Sequence, residues 1–225
     1  MDVRKEFEDK KAIYTGHFVG VSGKHLAGYF NIDPIMPHSS LIDKLAEMMV
    51  EPYKDQNIDT VVVPATGAIP FAHLGGLHLQ KAAGREIKAV WADKIKVNGQ
   101  KDFAFERSTF EDCVKGKKVL ILEDMVNQMF TIKKVIELVR RTGGEIVGVA
   151  SVASNSGVSA ESLEVPRYDR LCLIGYETWT PEECVKNGLC AQKQPIVEDI
   201  GHGDDFKKEH PDYLGGFVKL LGHQA

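Results

Sequence analysis

The stretch that most constrains this chain is Lys118–Thr131, KVLILEDMVNQMFT. Val119-Leu120-Ile121-Leu122 is apolar without alternation, the pattern of a strand covered on both faces, as in a parallel sheet. Glu123 and Asp124 stand at the end of that run, and Asn127-Gln128 makes a polar turn. Ile132, Val135, Ile136 and Val139 then recur at helical spacing. That predicts an amphipathic helix with Thr131 as N-cap and Gly143-Gly144 as stop. Ligands of open α/β sheets lie beyond the carboxyl ends of the strands. A helix start offers unpaired N–H groups to an anion, and carboxylates accept hydrogen bonds from sugar hydroxyls. A pentose 5-phosphate suits both halves of such an edge. An ordinary βα turn with solvated acids has the same pattern.

The remaining elements follow from the same periodicities. Residues 2–13 read as a short charged helix with Val3, Phe7 and Ala12-Ile13 on its apolar side. Thr15 to Asn31 reads as a hairpin turning at Ser22-Gly23. Pro34–Ser39 is a loop, with Ser39 or Ser40 capping a helix to about Tyr53 whose Met48 and Met49 are packing residues. Thr60–Val63 is a β-branched strand ending in Pro64-Ala65-Thr66-Gly67-Ala68-Ile69-Pro70, and a helix follows over roughly His73–Ala83. Ile87–Trp91 is a third strand, and Asn98-Gly99 signals a hairpin turn with Phe103–Phe110 returning. Glu145–Val152 and Leu171–Ile174 are the last strands. The tail Gly201–Gly222 reads as a docking strand or helix.

Composition sets the outer bounds. The chain has 225 residues, 43% apolar and 27% charged, as expected of one ordinary globular domain. Its 28 Lys plus Arg against 32 Asp plus Glu leave a net charge of −4, which gives no general attraction to nucleic acid or an anionic membrane. The charged start MDVRKEFEDKK does not suit a secretory signal, and no apolar run reaches transmembrane length, so cytoplasmic residence is expected. Cys113, Cys172, Cys184 and Cys190 are too few for a disulfide scaffold and read as structural thiols. His202, His210 and His223 fit no zinc spacing with Cys184 and Cys190, and no metal is assigned to direct protein ligation.

Five segments, GHFVGVSGKH, PATGAIP, ADK, VLILEDMV and PEEC, occur in the order found in type I phosphoribosyltransferases. The chain resembles the orotate phosphoribosyltransferases among them over roughly residues 14–196. The resemblance implies a single α/β domain over 1–225 with a mainly parallel central sheet flanked by helices. A small N-terminal hood over about 14–40 would be joined by the C-terminal segment from about 176 to 225.

The implied reaction moves ribose 5-phosphate from phosphoribosyl pyrophosphate to a nucleobase, orotate by the resemblance, giving orotidine 5′-monophosphate and pyrophosphate, with Mg²⁺ carried on the donor and a homodimer as the usual assembly. By resemblance, Glu123 and Asp124 would hold the ribose hydroxyls, and Asn127 and Thr131 the 5-phosphate. Thr66 and Gly67 would hold pyrophosphate, and Lys94 on a mobile arm would neutralise the leaving group, with Asp124 and Lys94 as the catalytic pair. Lys96, Lys101 and Arg107 are further cations of that arm. Lys24, Tyr29 and Phe30 would approach the nucleotide. Two positions depart from the family. Gln128, Met129 and Phe130 stand where it has Thr-Gly-Gly, and Asn155 stands where orotate enzymes place an arginine. These departures keep two alternatives open, a nucleotide- or donor-sensing regulator on the same fold and a phosphoribosyltransferase for another base.

Overall fold

The structure, a computed structural model, describes residues 1–20, 22–127 and 129–221. Val21 of the GHFVGVSGKH segment, Gln128, Gly222 and His223 lie outside them. In chain order the first elements are α1 (Val3–Asp9), β1 (Ile13–Val19), β2 (His25–Phe30) and α2 (Ser39–Val50), with a 3-10 turn at Glu51–Tyr53. Next come β3 (Thr60–Pro64), α3 (Ile69–Ala83), β4 (Lys88–Val97), β5 (Gln100–Ala104), α4 (Phe110–Val114) and β6 (Lys118–Val126). Then follow α5 (Phe130–Arg141), β7 (Glu145–Ser154), α6 (Ala160–Leu163) and β8 (Tyr168–Leu173). The last are β9 (Thr178–Trp179), α7 (Pro181–Asn187), β10 (Ile196–Val197), α8 (Gly203–Glu209) and β11 (Phe217–Val218).

The chain divides into two compact units, and the α/β fold resides in the larger, Met1–Arg4 with Ile35–Ile174. Its six strands lie in the order β5-β4-β3-β6-β7-β8. All neighbours are parallel except the β4–β5 ribbon at one edge. The central strands are buried on both faces, with Thr60–Pro64 and Val119–Glu123 fully covered. That double burial is why they read as continuous apolar runs. From α5, Ile132, Val135, Ile136, Leu138 and Val139 pack into the core.

Several boundaries depart from the sequence reading. Strand β6 does not stop before the acids but runs on to Val126, because β7 pairs with it there, Glu123 opposite Ser151 and Met125 opposite Ala153. Neither expected cap forms. Helix α5 starts one residue before Thr131, with Met129 at the N-cap, and α2 starts at Ser39 behind His38. The returning strand of the ribbon is Gln100–Ala104 rather than Phe103–Phe110. Asn98 and Gly99 both take positive φ, 51° and 79°, so Gln100 pairs directly with Val97. Helix α1 ends at Asp9, and Ile13 belongs to β1.

The smaller unit comprises Lys5–Pro34 and the chain from Gly175 onward, so residues 35–40, placed in the hood by the sequence, belong to the larger unit. Its sheet has the order β11-β10-β1-β2-β9. The β1–β2 hairpin is antiparallel, Val19 facing His25 and Ile13 facing Phe30. Gly28 is buried where a Cβ would overlap the Tyr176 ring, whose hydroxyl donates to the Tyr29 carbonyl at 3.0 Å.

Candidate active site

At the carboxyl edge of the larger unit's sheet, the ends of β3 and β6 come together. Glu123, next to last but two on β6, is only 5% exposed. Its Oε1 accepts the Asp124 N–H at 3.1 Å. Burial, then the neighbouring Asp124 charge, push the Glu123 carboxyl well above the usual carboxylate range, while Lys94 opposes that shift. Asp124 is half-buried, and its Oδ1 accepts the Met125 N–H at 2.6 Å. The other carboxylate oxygen lies against Gly67, where a Cβ would overlap it.

The loop after β3 carries Thr66, exposed, and Gly67; the Ala65-Thr66 peptide is cis, and the Thr66 carbonyl accepts the Ile69 N–H at 3.2 Å. Pro70 sits in the first turn of α3, where its missing N–H is not needed. Lys94 is exposed on β4 opposite Phe103. Further along the ribbon Lys96 faces Lys101, both exposed, so two cations share one rung. Arg107 instead lies over the Trp91 ring, 5.6 Å from its centroid.

The loop between β6 and α5 begins at exposed Asn127, whose Oδ1 accepts from Asn155 Nδ2. The Asn155 backbone N–H donates to the Val126 carbonyl at 3.2 Å, tying the end of β7 to the end of β6. Asn155 Oδ1 is buried and has no hydrogen-bond partner among the described residues. Met129 takes φ 59°, the left-handed region that favours glycine, and its side chain packs onto the core. Phe130 is 56% exposed and Thr131 half-buried in the first turn of α5. The Met129 side chain is thus spent on packing, and the N-cap makes no side-chain hydrogen bond to the helix start.

The larger unit therefore carries Thr66, Gly67, Glu123, Asp124, Asn127 and Asn155 on strand ends and the loops beyond them, Lys94 on the β4–β5 ribbon and Thr131 in the first turn of α5. Lys24, Tyr29 and Phe30 belong to the smaller unit. Lys24 is exposed beside the turn at Gly23, φ +76°. Tyr29 is half-buried with its ring 5.6 Å from that of Phe18. Phe30 is buried with its ring 5.1 Å from that of Phe7, so it packs the hood's interior.

A second constellation was missed by sequence spacing. His17, His25, Cys184 and Cys190 meet in the smaller unit, with one ligand-type atom from each within 4.8 Å of the others. The cysteines find histidines from the N-terminal hairpin rather than His202 or His210. The available signal was two histidines flanking one hairpin turn.

A parallel sheet whose acidic strand end meets a glycine loop is a frame that can hold a phosphorylated sugar. Comparison with known proteins agrees. The phosphoribosyl transferase domain model matches residues 31–170, and the chain belongs to that family. An orotate phosphoribosyltransferase of Caldicellulosiruptor saccharolyticus is 30% identical over 194 residues, covering 85% of this chain and 92% of the relative. One from Carboxydothermus hydrogenoformans is 31% identical over 200 residues, covering 88% and 96%. The crystal structure of orotate phosphoribosyltransferase from Aeropyrum pernix shares the fold with a TM-score of 0.59 at 19% identity, covering 77% of this chain and 94% of that one. The enzyme thus performs phosphoribosyl transfer from phosphoribosyl pyrophosphate. Among the described residues, no helix is long and apolar enough to cross a membrane.

Proposed function

We propose that the acceptor is orotate, giving orotidine 5′-monophosphate and pyrophosphate, a step of pyrimidine nucleotide synthesis. The observation that carries the site assignment is the meeting of Gly67 with Asp124, which sets a pyrophosphate-type loop against a sugar-type acid. The relatives' names support the choice of orotate.

In this proposal Glu123 and Asp124 hold the two ribose hydroxyls, whose O–H groups donate to the carboxyl oxygens. Asn127, Thr131 and the first N–H groups of α5 hold the 5-phosphate. Thr66 and Gly67 hold the pyrophosphate. As the bond from the anomeric carbon to the pyrophosphate oxygen breaks, that carbon gains oxocarbenium character and a ring nitrogen of the base closes on it, its proton passing to the released pyrophosphate. Lys94 neutralises the charge growing on pyrophosphate, and the Asp124 carboxylate faces the charge growing on the sugar. Lys24, Tyr29 and Phe30 keep the nucleotide-binding role that the resemblance implies, Phe30 through packing.

Mg²⁺ takes oxygen ligands, retains waters and is held by one or two carboxylates plus phosphates. One half-buried carboxylate, Asp124, beside the buried Glu123 fits an ion carried on the donor rather than one caged by protein. Bound there, it would supply charge neutralisation on the pyrophosphate oxygens. The proposal includes a homodimer in the cytoplasm.

A second reading, a base without a carboxylate, is favoured by Asn155, which offers an amide and no charge where the base would lie. The test for both is pyrophosphate release from phosphoribosyl pyrophosphate and Mg²⁺ with a panel of bases. Release with orotate supports the first reading, and release only with uncharged bases supports the second. Turnover with no base in the panel overturns both.

A further inference from the structure

The geometry points to a structural zinc site formed by His17, His25, Cys184 and Cys190. It is independent of the transfer chemistry proposed above. His17 lies on β1, His25 on β2, Cys184 on α7 and Cys190 in the turn that follows α7. Both histidines are 1% exposed and Cys184 is fully buried, with Cys190 half-buried beside them. Two imidazoles and two thiols enclosed together are one of the standard four-ligand sets for zinc.

The spacing of the ligand atoms fits a tetrahedron. With zinc–sulfur bonds of about 2.3 Å and zinc–nitrogen bonds of about 2.0 Å, sulfur and nitrogen ligands lie about 3.6 Å apart. His17 Nε2 is 3.7 Å from Cys184 Sγ and 3.8 Å from Cys190 Sγ. His25 Nδ1 is 3.5 Å from Cys190 Sγ. The two ring nitrogens, His17 Nε2 and His25 Nδ1, are 2.6 Å apart, a hydrogen-bond distance in which one proton is shared. A cation takes the place of that proton and opens this one edge to about 3.3 Å.

Two outer contacts orient the ligands. His17 Nδ1 lies 3.0 Å from the Gln194 carbonyl, to which it donates, leaving the Nε2 lone pair facing the cluster. The Cys190 N–H donates to Cys184 Sγ at 3.2 Å, which fixes the position of that sulfur. The Tyr213 hydroxyl donates to the same Gln194 carbonyl at 2.8 Å, fixing it in place.

Four protein ligands leave no open coordination position, so the ion holds structure rather than activating a substrate. The smaller unit has reason to use one. Three of its strands, β9, β10 and β11, are two residues long, and one of its buried clusters consists of only Phe18, Leu26, Val197 and Ile200. A unit with little core gains from a metal staple. This one fastens the N-terminal hairpin to the C-terminal segment, joining residues as far apart as His17 and Cys190.

The experiment is elemental analysis of the untagged full-length protein purified from zinc-supplemented cells, followed by exchange of the metal for cobalt. The expected result is one zinc per chain and the intense visible bands of tetrahedral cobalt bound to thiolate. Both should be lost in a Cys184→Ser/Cys190→Ser double variant and kept in Cys113→Ser, whose cysteine belongs to the larger unit. If the double variant fails to fold, the cobalt spectrum of the unmodified chain still decides. Metal-free protein with freely reacting thiols, a Cys184–Cys190 disulfide, or metal retained by a folded double variant would each overturn the site.

Discussion

Gly67 and Asp124, on loops and strands more than fifty residues apart in sequence, share one volume: the space a side chain would need at Gly67 is filled by the Asp124 carboxylate. Neither residue can change size without moving the other. Gly67→Ala should displace that carboxylate while leaving the core intact. Misplacement by about 1 Å costs on the order of 100-fold in rate. The expected outcome is a fall of that order in kcat/KM for pyrophosphate release, with a melting temperature close to the parent's.

Asp124→Asn keeps the shape and removes the charge. A hydrogen bond to a charged group contributes roughly 1.5–3 kcal/mol, or about tenfold to a hundredfold in affinity. Calorimetric titration with phosphoribosyl pyrophosphate and Mg²⁺ should show a weakening in that range. Unchanged donor affinity would remove Asp124 from the sugar site.

Glu123 makes a pH prediction. Its folded-state pKa is raised, chiefly by burial. Between the unfolded value, about 4.3, and the raised folded value, the unfolded chain releases a proton that the folded chain retains, so this residue lowers stability as pH rises. Glu123→Gln removes the effect. Against the parent, the variant should melt at a similar temperature below about pH 4 and a few degrees higher near pH 8. A variant less stable at pH 8 than at acid pH, relative to the parent, would contradict the raised value.

Asn155 separates base from donor. Asn155→Ala should raise KM for the base about tenfold, the loss of one hydrogen bond of roughly 1.4 kcal/mol, with KM for the donor unchanged. Equal effects on both substrates would place Asn155 in general loop packing with Asn127.

The sheet was legible because doubly buried strands show as unbroken apolar runs, and Val61–Val63 and Val119–Leu122 are such runs. The acids were legible as residue types but not as strand residues. Only pairing with β7 extends β6 through them, and that pairing is tertiary. Thr131 has the chemistry of an N-cap, yet the helix begins before it, because Met129 takes a backbone conformation that no sequence pattern announces for methionine. The histidine–cysteine cluster was hidden for a different reason. Short-range spacing rules test neighbours along the chain, whereas His17 and Cys184 meet only after the two chain ends fold together.

Met129 stands where the resemblance implies a glycine, and it takes φ 59°, in the left-handed region, at a cost of about 1–2 kcal/mol. Anchoring the side chain in the core secures a bend that glycine would adopt freely, so the entrance to this helix is held by hydrophobic ballast.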